Sequence, residues 1–294
     1  MDNRDADAPR AVIVVSSHVA RGSVGNRAAV FALETLGFPV WAVPTIVLPY
    51  HLGHGKGTKI VPPPDQFAAL MKDLERSPWM GEVAGVLSGF IGDPAQADAI
   101  ASLVKAVKAR NPKALYVCDP VMGDFGGLYV PIAVAEAIRD KLMPIADIAT
   151  PNRYELEWLS GAKLDTPQEV IAAALEAGPP TMLVTSAPSL MAGGTGNLLL
   201  TPSEALLVEH RVIEKPPHGL GDLTGAVFLA RLLSGHASAK ALQTTTAAVF
   251  EILARTTKRG ADELTLETDA ESLSHPMAMV SLRHLTHPGR GRRA

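Results

Sequence analysis

Short apolar runs alternate with longer amphipathic segments along most of the chain. Four of these runs are rich in β-branched residues, as is typical of strands buried on both faces: 11–15, 83–88, 114–118 and 181–185. Four segments between them have helical periodicity: 26–36, 64–76, 133–142 and 167–177. This alternation predicts a parallel or mixed sheet that is covered by helices on both faces.

Proline, glycine and capping residues mark the ends of further elements. Pro44 is expected to end a strand at 40–43, and the stretch 47–57 is expected to be a loop or an edge flap. Asp93 followed by Pro94 predicts the start of a helix that continues to about 110. The other predicted elements are a strand at 147–149, a helix at 155–159, a hairpin of 197–201 with 205–212, and helices from Asp222 and over 237–259.

Composition narrows the class of protein. The chain has 294 residues, of which 47% are hydrophobic and 19% charged, and a net charge of −3. These values predict a globular protein that binds neither nucleic acid nor membrane. The polar start is not predicted to be a signal peptide. The single cysteine, Cys118, is expected to be core rather than nucleophile and favours a reducing cytoplasm. One domain is predicted at 11–286, between a disordered segment at 1–10 and a basic flexible tail at 287–294.

Polar residues follow several of the predicted strands. They are Ser17, Asp119, Asp124, Thr150, Asn152, Thr185 and Ser186. Ligands of open α/β sheets bind beyond the carboxyl ends of the strands, so we expect these side chains to converge on one crevice.

The stretch from Gly219 to Asp222 opens a long apolar helix. A helix N-terminus binds anions, and glycines at 219 and 221 allow the backbone to approach a ligand closely. Asp222 is then placed as a base that faces a bound phosphate. The alternative is that Asp222 only caps the helix.

The set of polar residues favours phosphoryl transfer, which needs anion donors, a divalent cation and a base. Asn152 and Glu155 share one helix face and are candidates to anchor hydrated Mg²⁺; the alternative is an ordinary capping box. The chain has neither a P-loop motif nor a dinucleotide-binding glycine motif after the first strand. His51 and His54 lack an evident third ligand, so a zinc site is not predicted.

Three motifs resemble the ribokinase-like superfamily in its vitamin kinase branch: Gly219-Leu-Gly-Asp222, Asn152-x-x-Glu155 and Asp119-Pro-Val-Met-Gly-Asp124. The stretch Ser17-His-Val-Ala-Arg-Gly-Ser-Val-Gly-Asn26 is similar to the pyridoxal kinases. The resemblance extends over about 12–258. It implies one ribokinase-like α/β domain, with a central, mostly parallel sheet, helices on both faces and a small flap. It also implies ATP-dependent phosphorylation of the 5′-hydroxymethyl group of pyridoxal.

The resemblance implies a role for each matching residue. Asp222 would be the general base, beside an anion hole formed by the backbone N–H groups of Gly219, Leu220 and Gly221. Asp119, Asn152 and Glu155 would hold Mg²⁺, directly or through water. The residues expected to bind ATP are Asp119, Asp124, Tyr129, Thr150, Asn152, Glu155, Thr185 and Ser186. The residues expected to bind the alcohol are Ser17, Val24, Ile46, Leu48, His51, Leu52, Phe90 and Asp222.

Departures from the family pattern leave the substrate open. Leu52 replaces a threonine that helps to orient pyridoxal, Phe90 replaces a common tyrosine, and Leu220 replaces threonine or valine. The alternatives are a hydroxymethylpyrimidine or other small-alcohol kinase, and a weakly catalytic pyridoxal-binding protein. The family also implies a homodimer, and a monovalent cation is a further candidate cofactor.

Overall fold

The computed structural model describes residues 10–290. The predicted N-terminal segment lies outside these residues except for Arg10, whose backbone N–H donates to the Glu82 carbonyl. Of the predicted tail, residues 291–294 lie outside the described part. His287 is buried and its Nε2 lies 3.0 Å from the Thr201 carbonyl oxygen.

A nine-stranded sheet forms the centre of the described chain, in the order β11-β10-β9-β8-β7-β4-β3-β1-β2. Its strands are β1 (Ala11–Val19), β2 (Val40–Leu48), β3 (Val83–Ser88), β4 (Leu115–Cys118), β7 (Ile148–Ala149), β8 (Thr181–Pro188), β9 (Gly194–Leu200), β10 (Ala205–Arg211) and β11 (Ser281–Leu285). Pairing is parallel from β2 to β8 and antiparallel from β8 to β11. A separate small hairpin consists of β5 (Gly123–Asp124) and β6 (Gly127–Leu128). The mostly parallel sheet is confirmed.

Helices cover both faces of the sheet. On one face lie α2 (Pro64–Glu75), α3 (Gln96–Arg110), α4 (Ile132–Ala137), α5 (Arg153–Ser160) and α6 (Pro167–Glu176). On the other face lie α1 (Asn26–Thr35), α7 (Leu220–Leu233), α8 (Ser238–Arg259) and α9 (Ala270–Ser274). Within 10–290, no helix combines the length and apolarity needed to cross a membrane.

Strand β1 shows why its sequence is apolar throughout. Ile13 and Val15 contribute to the core under α2 and α3, whereas Val12 and Val14 contribute to the core under α1 and α7. Successive strand side chains point to opposite faces, so a strand with helices on both sides needs apolar residues at every position. The continuous apolar pattern of β1 is therefore explained by the helices that cover both faces of the sheet.

Several element boundaries differ from prediction; strands β1 and β8, for example, extend to Val19 and Pro188. The expected end of β2 at Pro44 is wrong, because the strand continues to Leu48. As the outermost strand it can hold a proline with its missing N–H directed away from the ladder. Helix α3 begins at Gln96 rather than beside Asp93, whose Oδ1 instead accepts a bond from the Ala95 N–H in the preceding turn.

The strand order places a crevice beside β1. Strand β2 follows β1 on one side, whereas β3 lies on its other side, so the connections leave β1 in opposite directions. Ligands of open α/β sheets bind at this kind of switch point, beyond the carboxyl ends of the strands.

Candidate active site

A small cavity lies at the carboxyl ends of β1, β3 and β4. Its polar lining comes from Ser16, Asp119 and Asp222, and Gly89 forms part of its wall. A Cβ atom at Gly89 would stand 2.5 Å from Ser16 Oγ, and one at Gly221 would stand 4.0 Å from Asp119 Oδ2. Glycine at 89 therefore allows the chain after β3 to lie close to Ser16, whereas a Cβ atom at Gly221 would make only an ordinary contact with Asp119.

Helix α7 begins at Leu220, two residues earlier than expected. Its N-cap is Gly219, at φ 94°, and no side chain caps it. The interpretation of Asp222 as a simple N-cap is therefore wrong; Asp222 stands in the first turn. The first helical bond runs from Leu223 N–H to the Gly219 carbonyl, at 3.0 Å. The N–H groups of 219–221 precede that bond and are directed toward the N-terminal end of the helix, where anions bind.

Asp222 is half-buried at this helix end. Burial raises its pKa to about 6, against the opposing effect of the Gly25 backbone N–H and its own. A general base is most effective when its pKa lies near the working pH. Asp222 therefore has the position and the proton affinity of a base.

Two further carboxyl groups, Asp119 and Glu155, are buried beside Asp222. Burial, and then the neighbouring carboxylates of Glu155 and Asp222, hold the pKa of Asp119 well above its usual range. Burial raises the pKa of Glu155 to about 8, although three backbone N–H groups favour its charged form. A cation bound beside these acids would favour their charged forms and lower their pKa values.

Asn152 and Glu155 form the capping box of α5. Asn152 Oδ1 accepts from Glu155 N–H at 2.9 Å, and Glu155 Oε2 accepts from Asn152 N–H at 2.8 Å. Glu155 Oε1 also accepts from Met122 N–H at 2.9 Å. The capping alternative is thus confirmed, and both side chains already have protein partners.

The donor set fits Mg²⁺ only with water in its coordination shell. In the described range 10–290, no three His, Cys, Asp or Glu side chains stand close enough together to hold a metal ion by themselves. Mg²⁺ usually keeps several waters and binds one or two carboxylates plus phosphate oxygens. Asp119 is the candidate direct ligand, and Asn152 and Glu155 would act through water.

The expected ATP residues surround the same strand ends. The hydroxyl of Thr150 is buried next to Asp119, where it acts to lower the pKa of that carboxyl group. Thr185 N–H donates to the Pro151 carbonyl at 2.9 Å, and Ser186 has a positive φ of 53°. Asp124 and the half-exposed Tyr129 flank the β5–β6 hairpin, where Asp124 Oδ1 accepts from Gly126 N–H.

Comparison with known proteins identifies the family. A profile of the phosphomethylpyrimidine kinase family matches residues 66–267. Pyridoxal kinase PdxY of Rubrobacter xylanophilus is 37% identical over 281 residues, which is 93% of this chain and 97% of that protein. Pyridoxal kinase PdxY of Corynebacterium diphtheriae is 36% identical over 93% of this chain and 99% of its own. The chain belongs to the pyridoxal kinase family.

Solved pyridoxal kinases share the fold. The enzyme of Leishmania donovani in complex with ADP and pyridoxine superposes with a TM-score of 0.86 at 27% identity, covering 94% of this chain and 99% of that one. The same enzyme with ADP and pyridoxamine gives a TM-score of 0.86. The predicted ribokinase-like architecture is confirmed by these neighbours.

An apolar cluster lies beside β1 and β2 in this pyridoxal kinase family member. Val24, Ile46 and Leu48 are buried there with Val19, and Leu52 and Phe90 pack against them. Leu52 therefore extends an apolar wall at the place where the family usually has a threonine. The expected residue Ser17 is buried nearby, against Gly25.

The flap, residues 49–63 between β2 and α2, carries His51. Its ring stacks on His218, with ring centroids 3.7 Å apart and an interplanar angle of 29°. Nδ1 of His51 accepts a hydrogen bond from Gly53 N–H at 3.1 Å. In the neutral ring the proton is therefore on Nε2, which can donate to a ligand.

Sequence reasoning missed Ser16, Gly89 and His218. Strand alternation from Val14 could have assigned Ser16 to the cavity face, because residues two apart share a face. His218 gave no local signal, since its contact with His51 joins segments far apart in the sequence. Only the folded chain brings these groups together.

Proposed function

We propose that this protein transfers the γ-phosphoryl group of ATP to the 5′-hydroxymethyl group of pyridoxal and related B6 vitamers, forming pyridoxal 5′-phosphate in B6 salvage. The observation that carries the proposal is the position of Asp222. It lies in the first turn of α7, beside free backbone N–H groups and across a cavity from Asp119. The family relatives named pyridoxal kinase support the same activity.

Asp222 is the proposed general base. Its carboxylate accepts the proton of the substrate hydroxyl as the hydroxyl oxygen forms a bond to the γ-phosphorus and the bond to ADP breaks. Its pKa of about 6 keeps it ionised at neutral pH, ready to accept that proton.

The backbone N–H groups of Gly219, Leu220 and Gly221 are the proposed anion hole. They precede the first hydrogen bond of α7 and can donate to the phosphoryl oxygens as charge develops on them. A bound Mg²⁺ would neutralise phosphate charge, held by Asp119 and, through water, by Asn152 and Glu155.

The remaining expected residues would position the two substrates. Thr150, Thr185, Ser186 and Asp124 would bind the ATP phosphates, and Tyr129 would cover the nucleotide and exclude water. His51 and the apolar cluster around Ile46 would hold the pyridine ring. Ser17 is proposed as a ring contact on the resemblance alone.

A second candidate is the phosphorylation of a hydroxymethylpyrimidine. Two observations favour it: Leu52 removes a hydroxyl from the flap, and the family profile is that of phosphomethylpyrimidine kinase. A protein that binds pyridoxal without turnover is a third candidate, because the apolar Leu52 alters the flap. The 37% identity to a named pyridoxal kinase over 93% of this chain makes pyridoxal the leading substrate.

ATP consumption by the purified protein tests these candidates. It is measured with and without Mg²⁺, and with pyridoxal, pyridoxine, pyridoxamine or hydroxymethylpyrimidine as acceptor. We expect Mg²⁺-dependent turnover that is fastest with a B6 vitamer. Turnover only with hydroxymethylpyrimidine would mean that the same mechanism acts on that substrate instead of pyridoxal. Binding of pyridoxal without turnover of any acceptor would contradict a kinase function.

The proposal includes an assembly and a location. We propose a homodimer of single-domain subunits, each with a domain at 11–286. Sedimentation at several protein concentrations, with and without K⁺ and ATP, tests this assembly. The single cysteine, Cys118, is buried and supports a cytoplasmic protein.

A further inference from the structure

The flap and the anion-binding loop are joined by a pair of histidines. His51 belongs to the flap, and His218 immediately precedes Gly219 at the start of α7. Their rings are stacked at 3.7 Å between centroids. The contact is close enough that Gly53 has no room for a side chain, because a Cβ atom there would stand 2.6 Å from His218 Nε2.

The backbone next to His218 has little freedom to move. Gly219 has a φ of 94°, and a Cβ atom at this residue would stand 2.0 Å from the Ser23 carbonyl oxygen. The loop therefore lies directly on the segment between β1 and α1. A ring that stacks on His218 is held against the backbone that supplies the proposed anion hole.

A second contact ties the flap to the same region. His54 Nε2 lies 2.8 Å from Glu263 Oε1. Glu263 Oε2 accepts from Ser23 N–H at 3.4 Å, so the carboxylate also touches the segment beneath Gly219. The flap thus contacts His218 directly and reaches the segment beneath Gly219 through Glu263.

The stacked rings are uncharged at neutral pH. Burial, and then the neighbouring His218 and His54, lower the pKa of His51 to about 4. Partial burial and His54 lower the pKa of His218, while the charges of Glu263 and Asp124 act in the opposite direction. Neutral imidazoles stack without electrostatic repulsion, so the lowered pKa values of both rings are compatible with this stack.

We propose that His218 is a positioning residue that holds the flap closed over the acceptor alcohol by stacking on His51, and thereby couples flap closure to the placement of the anion-binding loop. The inference rests on the proposed function, since it assigns the flap to the alcohol. It follows that loss of the stack weakens alcohol binding more than ATP binding, because ATP contacts the loop rather than the flap.

Three variants separate stacking from other effects. His218→Ala removes the ring, and His218→Phe keeps an aromatic ring without its nitrogens. His210→Ala is the matched control, because it removes a comparable stack on Phe250, at 4.5 Å and 27°, outside the flap. The measurements are KM for pyridoxal and for ATP, kcat, and hydrogen exchange of the flap backbone in protein without ligands.

His218→Ala is expected to raise KM for pyridoxal roughly threefold to tenfold, the loss typical of one aromatic pair, with a smaller change in KM for ATP. It is also expected to speed exchange at the N–H groups of Gly53, His54 and Gly55, which have partners inside the flap. His218→Phe is expected to restore both quantities, and His210→Ala to leave both unchanged.

Unchanged flap exchange in His218→Ala would overturn the proposal. A His218→Phe protein as impaired as His218→Ala would also overturn it, since the ring nitrogens rather than the stack would then be required. Absence of turnover by the unaltered protein with every acceptor would instead refute the proposed function, and the exchange measurement would still decide whether His218 holds the flap.

Discussion

Asp222, Asp119 and Glu155 are ordinary carboxylic acids whose pKa values are raised by their burial at the end of the sheet. Their proposed roles differ because their partners differ. Glu155 accepts three backbone N–H bonds and is fixed in place. Asp222 lies at the start of a helix, where a ligand can reach it. At the scale of single residues, the surroundings assign the chemistry.

Replacement of Asp222 tests the base. Asp222→Ala and Asp222→Asn are expected to fold normally and to lose roughly 10²–10⁴-fold in kcat, the usual contribution of one acid–base group. In the unaltered protein, kcat/KM is expected to fall as pH drops through about 6, because a protonated carboxyl group cannot accept the hydroxyl proton. Stopped assays between pH 5 and 8 measure this. Full turnover in a folded variant would remove Asp222 from the mechanism.

Leu52 tests the substrate side. Leu52→Thr places a hydroxyl where the family usually has one. Leu52→Val is the control, because valine has the shape of threonine but no hydroxyl. One added hydrogen bond is expected to lower KM for pyridoxal roughly twofold to tenfold in the threonine variant alone. Initial-rate measurements with both variants check this. Equal KM values for threonine and valine would show that no hydrogen bond forms there.

The start of α7 owes its shape to glycine. Gly219 has a backbone conformation that residues with a Cβ atom rarely adopt. The Ser23 carbonyl oxygen also occupies the space where that Cβ atom would stand. Leu220 needs no special side chain, because the loop uses backbone N–H groups. At the scale of the element, backbone conformation decides the function of this helix end.

Two glycines that flank α7 give a matched comparison. Gly219→Ala and Gly235→Ala both place alanine at positive φ, but Gly235 has open space around it. Both variants are expected to lose about 1–2 kcal/mol from backbone strain. Only Gly219→Ala must also move the loop, and its kcat is expected to fall at least roughly 10²-fold, as on loss of an anion-hole donor. Thermal melts and kcat values check both statements; a fully active Gly219→Ala protein would contradict the anion hole.

At the scale of the whole molecule, Glu209 joins the antiparallel edge of the sheet. It lies on β10 with a fully buried side chain that pairs with Arg283 of β11. It also accepts from Ser189 Oγ at 2.7 Å and from Met191 N–H at 3.0 Å, between β8 and β9. Burial alone would raise its pKa, but these partners lower it.

Loss of Arg283 tests this junction. Arg283→Ala leaves a buried carboxylate with fewer partners, so we expect the free energy of unfolding to fall by roughly 1–3 kcal/mol. Lys141→Ala, which removes an exposed ion pair with Asp98, is the control and is expected to leave stability unchanged. Denaturant titrations at pH 7 measure both. Equal stability of the two variants would refute the structural role of Glu209.

The Glu209 carboxyl group also predicts how the stability of the fold changes at low pH. Because its folded pKa is lowered, ionised Glu209 stabilises the fold above its unfolded pKa of about 4.3, and this stabilisation is lost as pH falls through the folded value. Glu209→Gln is therefore expected to lose less stability between pH 5 and 3 than the unaltered protein. A parallel loss in both proteins would contradict this assignment.

The sequence by itself determined the layered α/β fold and most of the elements. The apolar runs of β1, β3 and β8 and the helices α1, α2 and α6 are specified by neighbouring residues, since periodicity and end signals act within one element. The motifs around Asp119, Asn152 and Gly219 predicted a phosphoryl-transfer set through their resemblance to a known family. Their side chains lie at strand ends that the topology brings together.

Tertiary structure alone decided what depends on distant partners. Strand β2 continues past Pro44 because it is an edge strand, and β11 exists through its pairing with β10. The pKa values near 6 and 8 arise from burial by segments far apart in the chain. The stack of His51 on His218 joins the flap to α7 without any local signal. Pairing, burial and such contacts form only when the chain has closed on itself, so local periodicity cannot encode them.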